Sequence, residues 1–290
     1  MRHHQGQEDY DSKVVHIAYW RTIFGGKPLS ALTADAIMEG LPTHKEYKVR
    51  GKQPLSPATR NRYLATVRIM LNMCETWKWV SRAPKLIDEP EPAVRVRWIH
   101  HEEAARLVSC ISQDWLRDIA GMALATGMRA GEITALQWHQ IDLVRKHAWL
   151  GADQTKSARA RAVPLNDDAI AIIRRRIGSH LTHVFTRNGT LLKRLDHRMF
   201  SRACEKAEIE DFRFHDLRHT WASWHVQAGT PLMVLKELGG WETVAMVQKY
   251  AHLGTSHLSQ HANAVTFWSQ QAQKTVLEKE KPPVEAVLSA

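Results

Sequence analysis

Residues 215–220 of the chain read His-Asp-Leu-Arg-His-Thr. His215 and Arg218 are three residues apart, so in a helix both side chains would lie on one face. A histidine can take or give a proton near neutral pH, and an arginine offers a planar fork that fits phosphate oxygens. A His-x-x-Arg pair by itself is common, so its meaning depends on the residues that accompany it along the chain.

Two basic residues precede this run, each in a recognisable local setting. Arg129 lies in Thr-Gly-Met-Arg-Ala-Gly-Glu, residues 126–132, where a glycine ends one helix and another begins within a few residues. We expect Glu132 to hold the guanidinium of Arg129. Lys156 lies in the polar stretch 151–160, which we interpret as a hairpin tip between two short strands. Taken singly, a surface salt bridge and a solubilising loop lysine would explain both residues.

Two aromatic residues follow the run. Trp241 ends Leu-Gly-Gly-Trp, residues 238–241, and Tyr250 comes nine residues later. An aromatic residue at helical spacing is more often part of a core than of a catalytic site. The four other tyrosines all lie in the first part of the chain, at Tyr10, Tyr19, Tyr47 and Tyr63.

Together and in this order, the residues from Thr126 to Leu253 resemble the catalytic domain of tyrosine site-specific recombinases, the phage integrase family. That family has an arginine in a corner like 126–132 and a lysine ahead of an Arg-x-Val-Pro-Leu strand, here residues 161–165. It also has a His-x-Leu-Arg-His-Thr box and a Leu-Gly-x-(His or Trp) box with a tyrosine nine residues on. The resemblance implies these catalytic residues: Arg129, Lys156, His215, Arg218, Trp241 and Tyr250.

The resemblance implies DNA strand cleavage and rejoining through a covalent 3′-phosphotyrosine intermediate on Tyr250, in the service of integrating or excising a phage or another mobile element. A tyrosine has a pKa of about 10, so its proton must be removed and the charge on the phosphate oxygens neutralised. Arg129 and Arg218 suit the second task, and His215 can accept or orient the tyrosine proton. Lys156 is the candidate acid for the departing 5′ oxygen. Because the covalent bond keeps the phosphodiester energy, we expect neither ATP nor a metal ion as a cofactor.

The sequence departs from the family's pattern in two places. Many members have a histidine where this chain has Trp241, and an indole can donate a hydrogen bond but cannot shuttle a proton. We expect Trp241 to donate to a phosphate oxygen and to pack against the site. Many phage integrases also have an N-terminal arm-binding domain, for which there is no room before residue 13. We therefore expect either a simpler subtype or a chain that lacks that domain.

The first part of the chain is predicted to be helical. Apolar residues recur at helical spacing from Lys13 to Phe24, and Thr33 can cap a short second helix. A polar, basic loop is expected over 44–53. The strongest helix signal begins at Ser56 and continues to about Lys78, in a region that also resembles the family's core-binding domain. This helix offers three arginines for contact with DNA: Arg60, Arg62 and Arg68.

A change of composition divides the chain. From Ala83 onward, prolines and acidic residues interrupt the helical pattern. We predict a helical core-DNA-binding domain over 1–83, a linker over 84–96, a catalytic tyrosine-recombinase domain over 97–275 and a disordered tail over 276–290. Because short strands are predicted among helices at 141–143, 147–150 and 161–165, the predicted fold class is mainly α with a small antiparallel β-sheet (α+β).

The overall charge agrees with a nucleic-acid partner. The chain carries a formal net charge of +10 and has an isoelectric point near 9.6, a balance typical of proteins that bind polyanions. It has neither an apolar run long enough to span a membrane nor an N-terminal signal, so we expect a cytoplasmic location and no membrane partner. Its three cysteines are odd in number and widely spaced, which argues against a disulfide framework.

The partners expected from the resemblance are double-stranded DNA recombination sites and further copies of the chain. A predicted C-terminal helix, about 256–274, would dock on a neighbouring subunit and build a homotetramer on two synapsed DNA sites. The family pattern also leaves room for a host DNA-bending factor or an excisionase as an accessory partner.

Three other functions compete with this interpretation. His215 and His219 have the spacing of a zinc-protease helix, and His257 and His261 repeat that spacing, but Asp216 is a short carboxylate for the general-base position. A catalytically dead DNA-binding relative would keep the fold without the reaction. A type IB-like topoisomerase would use similar chemistry without bringing two sites together.

Overall fold

The structure of the protein, a computed structural model, describes residues 10–47, 51–92, 95–152, 159–192 and 194–254. The chain divides into two compact units, Met1–Val94 and Arg95–Ala290. Within the described residues both units are mainly helical, and the strands form three small antiparallel sheets. The predicted fold class is therefore confirmed. No helix in the described ranges is both long and apolar enough to cross a lipid bilayer.

Among its described residues, the first unit contains three α-helices and one hairpin. The helices are α1 (Tyr10–Phe24), α2 (Ala34–Glu39) and α3 (Pro57–Thr76), and the strands are β1 (His44–Tyr47) and β2 (Gly51–Pro54). The predicted caps are present, because the side chain of Thr33 accepts from the amide of Ala36 and that of Ser56 accepts from the amide of Thr59. Helix α3 ends at Thr76, two residues before the predicted end.

The core of the first unit is small and depends on α3. Leu64, Val67 and Leu71 are buried along one face of that helix, as the apolar stripe predicted. Trp20 of α1 packs on them and donates from its indole nitrogen to the carbonyl of Tyr63, at 3.0 Å. The bonded indole satisfies the one polar atom that this ring carries into the core.

The segment predicted as a linker packs in its first half against α3. Leu86 is buried with the core of the first unit, and the side chain of Asn61 exchanges hydrogen bonds with the backbone of Glu89. Residues 93 and 94 lie outside the described residues.

One prediction for this unit is wrong. The basic stretch 44–53 is not a loop, since its two arms pair as an antiparallel hairpin in which Lys45 faces Gln53 and Glu46 faces Lys52. The stretch has no alternation of apolar and polar residues, because β2 is exposed along its whole length. Without a buried face, the period-two signal that identifies a strand is absent.

The second unit contains eight helices and two small sheets within its described residues. Its helices are α4 (His101–Cys110), α5 (Asp114–Thr126), α6 (Ala130–Thr134), α7 (Asp167–Arg176), α8 (His197–Lys206), α9 (Asp216–Gln227), α10 (Leu232–Gly239) and α11 (Ala245–Gln248). Its strands are β3 (Ile141–Asp142), β4 (His147–Leu150), β5 (Arg161–Pro164), β6 (Thr186–Arg187) and β7 (Thr190–Leu191).

The centre of the second unit is α5, which packs against α7 and α9. The helical spacing of four apolar residues in the sequence predicts one buried face for α5, and all four are buried: Leu116, Ile119, Ala120 and Ala123. Strands β3, β4 and β5 form one antiparallel sheet in that order, and Leu150 of β4 lies opposite Arg161 of β5. Helix α9 packs against both α5 and α10, and α10 packs against β5. This packing fixes the positions of the four elements relative to one another.

Several predicted elements of the second unit are shorter than expected or lie outside the described residues. The sequence pattern predicts a helix over 242–250, but the structure contains only the short α11 there, followed by a 3-10 turn at Ala251–Leu253. The hairpin β6–β7 was not predicted, although Asn188 and Gly189 both have positive φ at its turn, and Asn-Gly is a common turn signal. Most of the predicted hairpin tip, the helix 256–274 and the tail 276–290 lie outside the described residues.

Candidate active site

Arg218 of α9 is buried and is held by the ends of two other helices. Its side chain is only 3% exposed, and its guanidinium donates to the carbonyl of Gly127 and, at 2.7 Å, to that of Gly239. Gly127 directly follows α5, and Gly239 is the last residue of α10. Carbonyls at these positions have no partner within their own helix and carry the negative end of the helix dipole. The buried guanidinium of Arg218 therefore supplies hydrogen-bond donors and a positive charge to the C-terminal ends of both helices.

Two glycines make this convergence possible. Gly127 and Gly240 cap α5 and α10 in the left-handed conformation, with φ of 63° and 65°. A Cβ atom on Gly127 would overlap the ring of Trp221, and one on Gly240 would lie 2.5 Å from Nε of Arg161. Only a glycine meets the conformational and the steric requirement together.

Arg129 lies at the N-terminus of α6, where Glu132 holds it as the sequence predicted. Glu132 accepts from Nη1 of Arg129 at 2.8 Å and from the backbone amide of Arg129 at 2.9 Å. The carboxylate is 2% exposed and the guanidinium 23% exposed. Because the pair is anchored on the buried side and open on the other, Arg129 can present its remaining donors outward.

A further arginine, Arg161 at the start of β5, reaches the same carboxylate. Its Nη2 donates to Glu132 at 2.9 Å, and its Nη1 donates to the carbonyl of Leu238 at 3.1 Å. Burial of the side chain lowers the pKa of Arg161, and the negative charge of Glu132 opposes that decrease. Sequence reasoning used Arg161 only as part of a strand motif, because the contacts of this residue span tens of positions in the chain.

Tyr250 has no exposed surface and contacts a histidine that sequence reasoning did not choose. A hydrogen bond of 2.5 Å joins its hydroxyl to Nδ1 of His219. His215, the predicted partner, is exposed and meets His219 edge-on, with ring centroids 5.1 Å apart. His219 directly follows Arg218 in α9, and both side chains are buried. Its position next to the arginine of the motif was the sequence signal that could have identified His219.

The electrostatics of the cluster keep both partners of this hydrogen bond neutral. Burial, followed by the positive charges of Lys249 and its neighbours, lowers the pKa of His219 to about 3. Burial raises the pKa of Tyr250 above its ordinary value, although Arg218 acts in the opposite direction. The phenol therefore holds its proton near neutral pH.

Trp241 covers the guanidinium of Arg218. The guanidinium carbon lies 4.1 Å from the centroid of the indole ring, which is close enough for a favourable cation–π contact. The same indole stacks on Trp221 at 6.1 Å and lies 6.0 Å from the ring of Tyr250. Trp241 thus packs against both the arginine and the tyrosine.

The structure brings together five of the six residues predicted to be catalytic. Arg129, Arg218, Trp241 and Tyr250 share one cluster, and His215 lies within range of the charges of Arg129 and Arg218. Although part of the His215 side chain is exposed, its ring is packed among neighbouring groups, and this partial burial, followed by the charges of the two arginines, lowers the pKa of His215. Lys156, the sixth, lies outside the described residues.

The three arginines predicted to bind DNA all lie on α3, in different settings. Arg60 pairs with Glu89 at 2.9 Å and Arg68 with Asp88 at 2.7 Å, so two of them face acidic residues of the segment that packs against α3. Arg62 is exposed.

The residues behind the zinc-protease alternative are engaged in other contacts. Nδ1 of His219 bonds Tyr250, and the carboxylate of Asp216 accepts from the backbone amide of Arg213 at 2.8 Å. In the part of the chain that the structure describes, no three metal-ligating side chains are grouped. His257 and His261 lie outside it.

Comparison with known proteins decides the family. The profile described as "Phage integrase family" matches residues 97–257. The chain is also 38% identical to the integrase of Salmonella phage P22 over 295 aligned positions, which cover 89% of this chain and 76% of that protein. The chain belongs to the phage integrase family. It is therefore a site-specific recombinase, and the resemblance found in the sequence is confirmed.

Solved structures agree on the fold of this phage integrase family member. A lambda integrase fragment, crystallised as a dimer bound to a COC′ core site, gives a TM-score of 0.65 at 20% identity, over 83% of this chain and 90% of that one. The integrase of transposon Tn1549 in complex with transposon right end DNA gives 0.70 at 17% identity, over 90% and 96%.

Proposed function

We propose that this recombinase cuts and rejoins DNA by transesterification, with Tyr250 as the nucleophile. The observation that carries the proposal is the cluster in which the phenol of Tyr250, the buried Arg218 and the partly exposed Arg129 lie together. A phosphodiester placed there would meet a nucleophile and two cations. The resemblance supplies the assignment of each residue, and the geometry supports it.

In the proposed reaction two bonds are exchanged. The phenol loses its proton, its oxygen forms a bond to phosphorus, and the bond from phosphorus to the 5′ oxygen breaks. The products are a 3′-phosphotyrosine and a free 5′-hydroxyl, which takes up one proton. Attack by a 5′-hydroxyl on the phosphotyrosine reverses the exchange and restores a phosphodiester without ATP.

The proposed roles follow the chemistry of each side chain. Arg129 and Arg218 neutralise the charge that grows on the non-bridging oxygens, which is the largest demand of the step. His215, exposed beside them, accepts or orients the tyrosine proton, and Lys156 protonates the departing 5′ oxygen. Trp241 packs against Arg218 and donates from its indole nitrogen to the phosphate.

The proposal includes a change at the nucleophile when DNA binds. Tyr250 has no exposed surface, and its hydroxyl is hydrogen-bonded to His219. Its hydroxyl must become accessible before it can attack. Contact between the phosphate and the arginines is the event we assign to that change, because among the described residues the three arginines of the cluster outnumber its one carboxylate, Glu132, and attract a further anion.

The substrate we propose is double-stranded DNA carrying a recombination site, since the lambda and Tn1549 structures are complexes with DNA. We further propose the domain arrangement 1–83, 84–96, 97–275 and 276–290, with Arg60, Arg62 and Arg68 contacting DNA from the first domain. A homotetramer on two synapsed sites, with a host DNA-bending factor or an excisionase as an accessory protein, completes the assembly. Its proposed location is the cytoplasm, where a phage or bacterial recombinase meets its DNA.

The experiment that tests this function uses a nicked DNA site whose short 5′-hydroxyl fragment diffuses away after cleavage. Wild-type protein should accumulate as a covalent adduct that resists denaturant, and peptide mapping should locate the DNA on Tyr250. Tyr250→Phe removes one oxygen, so it should bind the site and form no adduct. Tyr10→Phe, the same change in the first unit, should cleave normally. An adduct on another residue, or cleavage by Tyr250→Phe, would refute the mechanism.

A second assay separates recombination from topoisomerase activity. Both reactions pass through the same intermediate, but only recombination joins strands from two sites. Supercoiled plasmids with one or two sites should therefore give recombinant products only when two sites are present. Relaxation of plasmids without any recombinant product would favour the topoisomerase alternative.

A further inference from the structure

Arg161 connects two parts of the site that belong to different elements. It begins β5, and its guanidinium donates to Glu132 of α6 and to the carbonyl of Leu238 in the last turn of α10. The side chain is 11% exposed. Its Nε is buried and has no hydrogen-bond partner in the described part of the chain.

Glu132 is the point at which two arginines meet. One carboxylate oxygen accepts from Nη1 of Arg129 at 2.8 Å, and the other accepts from Nη2 of Arg161 at 2.9 Å and from the amide of Arg129 at 2.9 Å. With both oxygens engaged and 2% of the side chain exposed, the carboxylate has one orientation. Because the guanidinium of Arg129 donates to this carboxylate, the orientation of Glu132 determines the orientation of Arg129.

The charges of the cluster give Arg161 a second effect. The charges of Arg129 and Arg161 lower the pKa of Arg218 while Glu132 raises it, and Arg161 is affected by Arg129 and Glu132 in the same way. If Arg161 offsets the charge of Glu132, then the full charges of Arg129 and Arg218 remain available to a phosphate. Without Arg161, the carboxylate would offset Arg129 instead, and the cluster would offer about half as much net positive charge.

We propose that Arg161 is a positioning residue for Arg129, acting through Glu132, and that it sets both the orientation and the effective charge of the phosphate-binding arginine. This inference rests on the proposed function, since it assumes that Arg129 contacts the phosphate being cut. Arg161 itself stays on the buried side, less exposed than Arg129, and does not touch the substrate.

The test compares Arg161→Lys and Arg161→Met with wild type in single-turnover cleavage of the nicked site at saturating protein. Lysine keeps the charge but lacks the planar fork that reaches both Glu132 and Leu238. Misplacement of Arg129 should slow cleavage by about 10- to 100-fold, with the larger loss for methionine. Affinity for the site, measured by gel shift, should change far less than the rate.

A substrate with an uncharged methylphosphonate at the cleavage position distinguishes the route of the effect. Its phosphorus group carries no negative charge in the ground state, so it depends least on an arginine in the correct orientation. The defect of both Arg161 variants should shrink to within about threefold on this substrate, as should the defect of Arg129→Ala. A defect of unchanged size on the methylphosphonate would overturn the proposal.

A second substrate tests the leaving-group side of the reaction. Sulfur in place of the bridging 5′ oxygen makes the leaving group a thiolate, which departs without a proton because a thiol is far more acidic than an alcohol. This substrate should bypass the acid and leave the Arg161 defect as large as before. Rescue by sulfur would show that Arg161 acts on the leaving group and not through Arg129.

A pair of glycine variants keeps the proposal testable if the Arg161 variants do not fold. In Gly240→Ala the new methyl group lies 2.5 Å from Nε of Arg161 and displaces a guanidinium that is still present. Gly229→Ala carries the same left-handed strain, with φ of 85° and no atom within 4 Å of its Cβ. Gly240→Ala should reproduce the methylphosphonate-sensitive defect and Gly229→Ala should not. Equal behaviour of the two would contradict the proposal.

The failure of this inference is distinguishable from failure of the proposed function. If wild-type protein forms no adduct on Tyr250, the proposed function fails before Arg161 is considered. If the adduct forms on Tyr250 and the Arg161 variants cleave at the wild-type rate, the positioning role alone is wrong.

Discussion

The neutral, buried His219 should make the second unit sensitive to acid. Its folded-state pKa is about 3, whereas its ordinary value is 6.5. The unfolded chain therefore binds more protons than the folded chain between these two values. Stability that is fully present above about pH 6.5 must fall as the pH decreases toward 3, since protonation of the ring favours the unfolded state.

The size of this loss follows from the pKa difference. Each unit corresponds to about 1.36 kcal/mol, so a decrease from about pH 7 to about pH 4.5 should remove on the order of 2.5 kcal/mol from the free energy of unfolding. His219→Gln cannot be protonated, and its amide oxygen can still accept from the phenol of Tyr250. The variant should therefore lack this part of the acid sensitivity.

Urea unfolding of wild type and His219→Gln at the two pH values measures the effect, and the difference between their unfolding free energies is the quantity of interest. As the pH decreases, the unfolding free energy of the variant should increase relative to that of wild type by about 2.5 kcal/mol. His139→Gln, at an exposed position, controls for the loss of one histidine. If the difference is the same at both pH values, His219 is not held neutral by its surroundings and the reasoning is wrong.

Three further changes test other parts of the site. Glu132→Gln removes the only carboxylate that the two arginines share in the described residues, so unfolding free energy should decrease by about 3 kcal/mol in urea titrations; unchanged stability would argue against the network. Gly127→Ala should cost about 3 kcal/mol by thermal unfolding because its methyl group overlaps Trp221, whereas Gly178→Ala, with φ of 84° and open space, should cost about 1 kcal/mol. Trp241→His should keep most cleavage of the nicked site and Trp241→Ala should lose about tenfold more; equal rates for the two would show that the residue only fills space.

Local sequence signals predicted much of this structure because they act over a few residues. The caps at Thr33 and Ser56 and the buried stripe of α5 depend on neighbours within one or two helical turns. The same holds for the bond between Arg129 and Glu132, which are three residues apart. In each case the partner is within reach of the helix itself, so no knowledge of the tertiary fold is needed.

The rest of the site depends on contacts between residues that are distant in the sequence. His219 and Tyr250 are 31 positions apart, and Arg161 is 29 from Glu132 and 77 from Leu238. No periodicity encodes such pairs, because they result from the way in which β5, α6, α9 and α10 pack. His215 was chosen over His219 for this reason, since the motif gave the order of the residues but not the face of α9 that meets the tyrosine.

The complete burial of Tyr250 has a consequence for fidelity. If Tyr250 is the nucleophile, as proposed, its burial until a phosphate engages the arginines would link the chance of cutting to the quality of binding. A poorly matched DNA sequence that leaves the arginines unoccupied would dissociate before the phenol becomes available, so discrimination would appear in the rate of cleavage as well as in affinity. For an enzyme whose product is a broken strand joined to protein, such a delay protects the genome from cuts at sites that only resemble the target.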